Sequence, residues 1–239
     1  MAEPEPEPVP AAATCPPLPD GYRAVILGST GAIGRELVAA LVASPQCGAV
    51  VAVTRRSVPE EEYATVFPSL GADTSKLSIA VVDFEQMVEA GAHAEVFTGA
   101  QYVACALGTS PYTKRVDLDY STAGAKLAAA TGTVTHYALV TSQGASHTSW
   151  IGYLKVKGQQ EEDVKALAFP KLTIFRPGAL DRGELRAQRG KERFMGFVGM
   201  KGIGVQLVGL AMRADAEVEP AAPVSVLGDA EIRQLSASL

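Results

Sequence analysis

Tyr153 and Lys157, in the run Tyr-Leu-Lys-Val-Lys, carry the first chemical signal in this chain. On a helix, residues four apart share one face about a turn from each other. An ammonium in that place favours the phenolate of its neighbour, so the tyrosine can exchange a proton with a substrate oxygen near neutral pH. Ser142, eleven residues before the tyrosine, supplies a hydroxyl that can hold a carbonyl oxygen in line for hydride transfer, and Ser146 and Ser149 stand nearer and compete for that role. The chain has seven tyrosines, so an isolated Tyr-x-x-x-Lys proves little. Its weight comes from what precedes it.

Gly28-Ser29-Thr30-Gly31-Ala32-Ile33-Gly34 follows an apolar run and opens a helical one. Gly28 permits a tight turn off a strand, Gly31 lets backbone N–H groups approach a pyrophosphate, and Gly34 lets the helix pack closely on a sheet. The helix N-terminus then offers aligned donors and partial positive charge to an anion. Thr30, Ala32 and Ile33 complete the expected contact set. The spacing is G-x-x-G-x-x-G rather than the more familiar G-x-G-x-x-G, but the flanking strand and helix are the required context.

The second apolar run ends Val53-Thr54-Arg55-Arg56. A site for NAD places a carboxylate there for the ribose 2′-hydroxyl. Two arginines instead suit a 2′-phosphate, which a guanidinium fork matches in charge and shape. NADP(H) is therefore the expected cofactor. Asp83 closes the third run, where it either accepts from an adenine amino group or caps the next helix. Leu107 and Gly108 close the fourth run and Arg176 and Pro177 the sixth, all expected to contact the cofactor along the same edge.

Something must bring these scattered residues together. Strand-like runs at 22–27, 48–54, 77–82, 101–106, 136–141 and 172–175 alternate with helical segments that include 33–44, 120–131 and 153–167. The strands are nearly continuous apolar runs, as in a parallel sheet covered on both faces. The expected fold is α/β, a doubly wound Rossmann-type sheet, with ligands outside the carboxyl ends of the strands. Residues 21–239 form one such domain, in which about 178–215 serve the substrate side.

Composition narrows the function classes. A net charge of −5 excludes nucleic-acid binding as the default. Three dispersed cysteines and three histidines without ligand spacing predict neither a disulfide framework nor a metal site, and point to the cytoplasm or another reducing compartment. Residues 1–20 alternate glutamate with proline and then run through alanine and proline, which predicts a disordered or partner-bound tail. No signal peptide or presequence pattern is present there. The apolar stretch 194–212 carries Lys201 and four glycines between 196 and 204, making it a cleft-lining segment rather than a membrane span. The basic stretch 182–193 predicts a mobile loop.

The order of parts resembles the short-chain dehydrogenase/reductase superfamily, in its extended and atypical branches. GSTGAIGRELV, VTRR, ALGTS, TSQGA, YLKVKGQQEEDV and FRPG resemble, more narrowly, the Tat-interacting-protein-like branch of NADPH-binding reductases. That resemblance runs from about residue 22 to the end. It implies Ser142, Tyr153 and Lys157 as a catalytic triad, and Gly28, Gly31, Gly34, Arg55 and Arg56 as cofactor contacts. The serine lies closer to the tyrosine than the superfamily usually has it. Two function classes follow: an NADPH-dependent reductase of a small carbonyl compound, or a non-catalytic NADP(H)-binding subunit of a protein assembly. A homo-oligomer is compatible with either.

Overall fold

The computed structural model describes residues 15, 17–109, 111–182, 202–219 and 222–239. Its elements run β1 (Tyr22–Leu27), α1 (Ala32–Val42), β2 (Cys47–Thr54), α2 (Tyr63–Val66), β3 (Leu77–Val81), α3 (Phe84–Ala90) and β4 (Tyr102–Cys105). A π-helical turn (Arg115–Tyr120) leads into α4 (Ser121–Ala130), followed by β5 (His136–Val140), α5 (Gly152–Lys165) and β6 (Lys171–Phe175). Two short strands, β7 (Leu180–Asp181) and β8 (Ile203–Gly204), pair with each other. The chain ends with α6 (Val205–Glu217), β9 (Val224–Leu227) and α7 (Asp229–Ser236).

Seven strands form one sheet in the order β3-β2-β1-β4-β5-β6-β9, and every pairing is parallel. The fold is the expected doubly wound α/β sheet. The continuous apolar runs divide by alternation. Ala24, Ile26, Val50, Ala52 and Ala104 face the layer that contains Leu37, Leu41, Val208 and Ile232. Val25, Leu27, Val51, Val53 and Val103 face the opposite layer, with Met87, Ala125, Ala128 and Val164. Both layers exclude water, so a fully buried leucine such as Leu41 is worth about 2 kcal/mol. Order reversal between β1 and β4 opens the crevice where ligands of such sheets bind.

The structure adds a strand and divides one segment, and part of another expectation lies outside the described residues. A seventh strand, β9, joins the sheet beside β6; four residues with half-exposed sides leave too little pattern to see in sequence. The segment 178–215 divides. Its part from 205 belongs to α6, which packs on α1, and a β-carbon on Gly209 would come within 2.9 Å of Glu36 and Leu37. Residues 183–201, with nearly all of the expected basic loop and the first part of the apolar stretch 194–212, lie outside the described residues.

The tail also needs division. Residues 1–14 and 16 lie outside the described residues, but Cys15 is buried, with its sulfur 3.8 Å from His136 Nδ1. Leu18 packs on the core around Tyr22, and the Pro19 carbonyl accepts from the Tyr22 N–H at 3.2 Å. The domain therefore begins before residue 21, because these side chains find apolar cover at the amino ends of the strands. Among the described residues no helix is long and apolar enough to cross a membrane.

Candidate active site

The glycine loop forms a cradle with no room for side chains. Gly28 has φ +78°, and a β-carbon on it would lie 2.7 Å from the carbonyl group of Ala106, just past β4. A β-carbon on Gly34 would overlap the Gly28 carbonyl oxygen. Gly31 donates its N–H to that same oxygen at 2.9 Å and starts α1 without a side-chain cap or an acidic residue in the first turn. The first-turn donors therefore keep their partial positive charge for an anion. Thr30 and Gly31 are exposed, Ala32 is half-buried, and Ile33 and Gly34 are buried as the helix meets the sheet. Ser29 Oγ donates to the Val53 carbonyl at 2.7 Å, tying the loop to the end of β2. The sequence reading missed Arg35, whose guanidinium donates to the carbonyls of Gly31 and Thr30.

Arg55 and Arg56 follow β2 and are exposed, and the Thr54 hydroxyl donates to the Arg56 carbonyl at 2.6 Å, shaping the turn. Beside them is a cavity of about 340 Å³ lined by Arg55, Val82, Asp83, Phe84 and Tyr120, among others. Phe84 and Tyr120 stack there, 5.2 Å between centroids at 24°. Of the two roles open to Asp83, the capping one is visible: Oδ1 accepts from the N–H groups of Glu85 at 2.9 Å and Gln86 at 3.3 Å.

Helix α5 carries Tyr153 and Lys157 four residues, about one turn, apart. Lys157 is only 3% exposed. Its ammonium donates to the Leu107 carbonyl at 3.3 Å and to Gln160 Oε1 at 3.2 Å, and it forms an ion pair with Asp117, 3.0 Å from Oδ1. Gly108 closes over this group, since a β-carbon there would sit 3.4 Å from Asp117 Oδ1 and 3.7 Å from Lys157 Nζ. Leu107 and Gly108 thus reach the site through backbone. Tyr153 is half-buried, its ring tilted at 54° against Tyr112, 5.6 Å away.

The three serines separate by what their hydroxyls do. Ser146 Oγ pairs with Thr148 Oγ1 at 2.9 Å, and Ser149 Oγ accepts from the Ile151 N–H at 3.2 Å, so both are used inside their loop. Ser142, just past β5, has only a 3.3 Å contact to the neighbouring Gln143 carbonyl. The loop crosses α5 at Gly158, where a β-carbon would overlap the backbone of Ser146.

Arg176 does not present its fork to the crevice as expected. It is bidentate to Glu161, with Nε at 2.9 Å from Oε1 and Nη2 on Oε2. Glu161 is 1% exposed and also accepts from Thr141 Oγ1 at 2.6 Å; a carboxylate so buried requires a cationic partner. The pair ties α5 to the ends of β5 and β6. Pro177 contributes its carbonyl, which accepts from the Gln143 N–H at 3.0 Å.

Comparison with known proteins agrees with this geometry. The family described as NAD(P)H-binding matches residues 28–199. The chain is 36% identical over 169 residues to Protein HTATIP2 of Rattus norvegicus, an alignment spanning 67% of this chain and 64% of the rat protein. It is 34% identical over 167 residues to Protein FMP52-1, mitochondrial, of Scheffersomyces stipitis, covering 70% of each. Among solved structures, the oxidoreductase ylbE of Lactococcus lactis superposes with a TM-score of 0.65 at 16% identity, covering 91% of this chain and 96% of that one. The triphenylmethane reductase of Citrobacter sp., complexed with NADP(H), gives 0.62 at 18% identity, covering 85% and 68%. These two likenesses bear on the fold.

Proposed function

Because the chain belongs to the NAD(P)H-binding family, with HTATIP2 and FMP52 proteins as its relatives, we propose that it is an NADPH-dependent reductase of carbonyl compounds. The observation that supports this reading is the buried Lys157, one helical turn from Tyr153 and bonded to the Leu107 carbonyl just past β4, the strand end on which the glycine cradle also closes at Ala106. The cradle fits a dinucleotide pyrophosphate, and Arg55 with Arg56 fits a 2′-phosphate. Bound there, the nicotinamide supplies hydride chemistry.

The protein's own groups handle the proton. Tyr153 donates its phenolic hydrogen to the substrate's carbonyl oxygen, and Ser142, the least engaged of the three serines, donates a hydrogen bond to the same oxygen. Lys157 lies one helical turn from Tyr153 and brings its charge to that side of the site, held by the Leu107 carbonyl, Gln160 and the Asp117 carboxylate. Tyr112, 42% exposed beside Tyr153, gives the mouth an aromatic wall and favours substrates with an apolar flank. The buried thiols of Cys15, Cys47 and Cys105 suit a reducing compartment.

The test is a panel of aldehydes, ketones and quinones with NADPH, followed by Tyr153→Phe on any hit. The ring and its packing survive this change, so turnover is expected to fall about 10²–10⁴-fold with fold and NADPH affinity kept. Equal turnover by Tyr153→Phe would remove the proton donor. Tight NADPH binding with no turnover of any carbonyl would put the non-catalytic assembly subunit in its place.

A further inference from the structure

We propose that Trp150, with Ile151 and Tyr112, determines what this site accepts: uncharged carbonyl compounds whose carbonyl is attached to a flat aromatic ring. This rests on the reductase reading above, in which Tyr153 meets the carbonyl oxygen. The chemistry is unchanged: the carbonyl carbon gains the hydride of NADPH, its oxygen gains the Tyr153 proton, and the products are the alcohol and NADP⁺, with the tyrosine reprotonated from water.

Trp150 is fully exposed, at 103% of its reference area, so its indole packs on nothing; Ile151 is 61% and Tyr112 42% exposed. The other large apolar side chains exposed in the described chain sit on the two edge strands, β3 and β9, just after α6 and at the last residue. Only these three gather beside Tyr153, and they come from two separate segments. A β-carbon on Gly152 would lie 2.5 Å from the Tyr112 hydroxyl, so Tyr112 lies against the first turn of α5, with its ring 5.6 Å from that of Tyr153. Trp150 and Ile151 are the two residues directly before Gly152.

The backbone around the indole is tied down on both sides. Before it, the Ser149 N–H donates to the Ser146 carbonyl at 3.0 Å, and the Ser146 N–H to the Leu154 carbonyl at 3.1 Å. After it, the Ile151 N–H donates to Ser149 Oγ at 3.2 Å, and the Ile151 carbonyl accepts from the Lys155 N–H at 2.9 Å. A loop so bonded presents the indole to water instead of letting it fold onto the domain.

Size, shape and charge select the occupant. Together the three side chains expose on the order of 400 Å², about half of the ~800 Å² that each partner gives to a standard protein interface. That is too little for a docked protein and suits a small molecule. An indole and a phenol ring favour a flat aromatic partner, which stacks on them, over a saturated ring of the same size. From Ser142 to Tyr153 the chain has no Asp, Glu, Lys or Arg, so this side of the mouth offers a charged substrate no counter-ion.

Trp150 is the only tryptophan in the chain, so its fluorescence reports on this spot alone. The full chain with NADP⁺, which permits no reduction, is titrated with acetophenone and with cyclohexyl methyl ketone, the same ketone on a saturated ring. Acetophenone is expected to give a saturable quenching and blue shift of the Trp150 emission, at a concentration roughly fivefold or more below that needed for the saturated ketone. By calorimetry, Trp150→Leu is expected to weaken acetophenone binding by about the same factor and to leave the saturated ketone within about twofold, while Trp150→Phe keeps most of the preference. An indole that packs on nothing leaves folding independent of these changes, which thermal melts verify. Equal binding of the two ketones, acetophenone binding unaltered in Trp150→Leu, or no saturable binding of either ketone overturns the assignment. The titration involves no turnover, so its outcome is separate from that of the Tyr153→Phe assay: either can fail while the other stands.

Discussion

Gly34 and Gly28 approach so closely that a β-carbon on Gly34 would overlap the carbonyl oxygen of Gly28. That contact sets how tightly α1 descends onto the sheet and where its first N–H groups point. Gly34→Ala is expected to cost about 1–3 kcal/mol through forced backbone displacement and to abolish measurable NADPH binding. Gly71→Ala, where nothing lies within 4 Å of the added carbon, is the control and leaves both unchanged. Thermal melts and nucleotide titration of the two variants check this.

Arg55 and Arg56 carry the proposed preference for a phosphorylated ribose. Changing both to alanine is expected to weaken NADPH binding at least tenfold and to leave NADH binding within about twofold, since charge-assisted bonds to phosphate are worth about 1.5–3 kcal/mol. Calorimetric titration of both nucleotides against both proteins decides it. Equal losses for the two would remove the 2′-phosphate assignment.

His136 predicts an acid-sensitive fold. It is 1% exposed, and burial, helped by the nearby Lys171, lowers its pKa from 6.5 to about 4. Between those values the unfolded chain binds a proton that the folded chain refuses. Stability therefore falls as pH drops from about 6.5 toward 4, by up to roughly 1.4 kcal/mol per pH unit from this group. Denaturant melts at stepped pH should show the slope, and His136→Gln should flatten it within that window. A slope untouched by the substitution would assign the acid sensitivity to other groups.

Residues 15–20 are expected to matter for stability although they precede the first strand. Truncation through residue 20 removes Cys15 from His136 and Leu18 from the core. A loss of about 1–2 kcal/mol follows from the buried area, or about 3–6 °C in melting temperature for a chain of this size. A truncation that stops at residue 14 keeps both contacts and serves as the comparison. Identical melting of the two shorter chains would show that these contacts add nothing.

The parts legible in the sequence share one property: their signal is local. The glycine loop is seven residues long, and the strands are recognisable because burial on both faces makes them continuously apolar. Asp117 was not legible because its value depends on Lys157, forty residues later, and on a π-helical turn that shifts it off ordinary helical spacing. A partial clue did exist in α5, where the buried stripe Lys157, Gln160, Glu161 and Val164 is mostly polar on a helix packed inward. Polar residues at core-facing positions announce partners without naming them. Arg176 misled for the opposite reason, since its strand-end position suits a ligand while the buried Glu161 claims its fork.

The packing of α6 on α1 has a consequence for how the chain is made. The layer that covers the first helix, Ala32–Val42, is supplied by α6, Val205–Glu217, far later in the chain. Until the ribosome has released them, the outward side of α1, with Leu37 and Leu41 beneath it, lacks its cover. Domains assembled from contacts so distant in sequence close slowly and expose apolar surface meanwhile. The nascent protein should therefore engage chaperones until α6 has emerged, and any truncation that removes α6 should produce aggregates rather than a smaller working cradle.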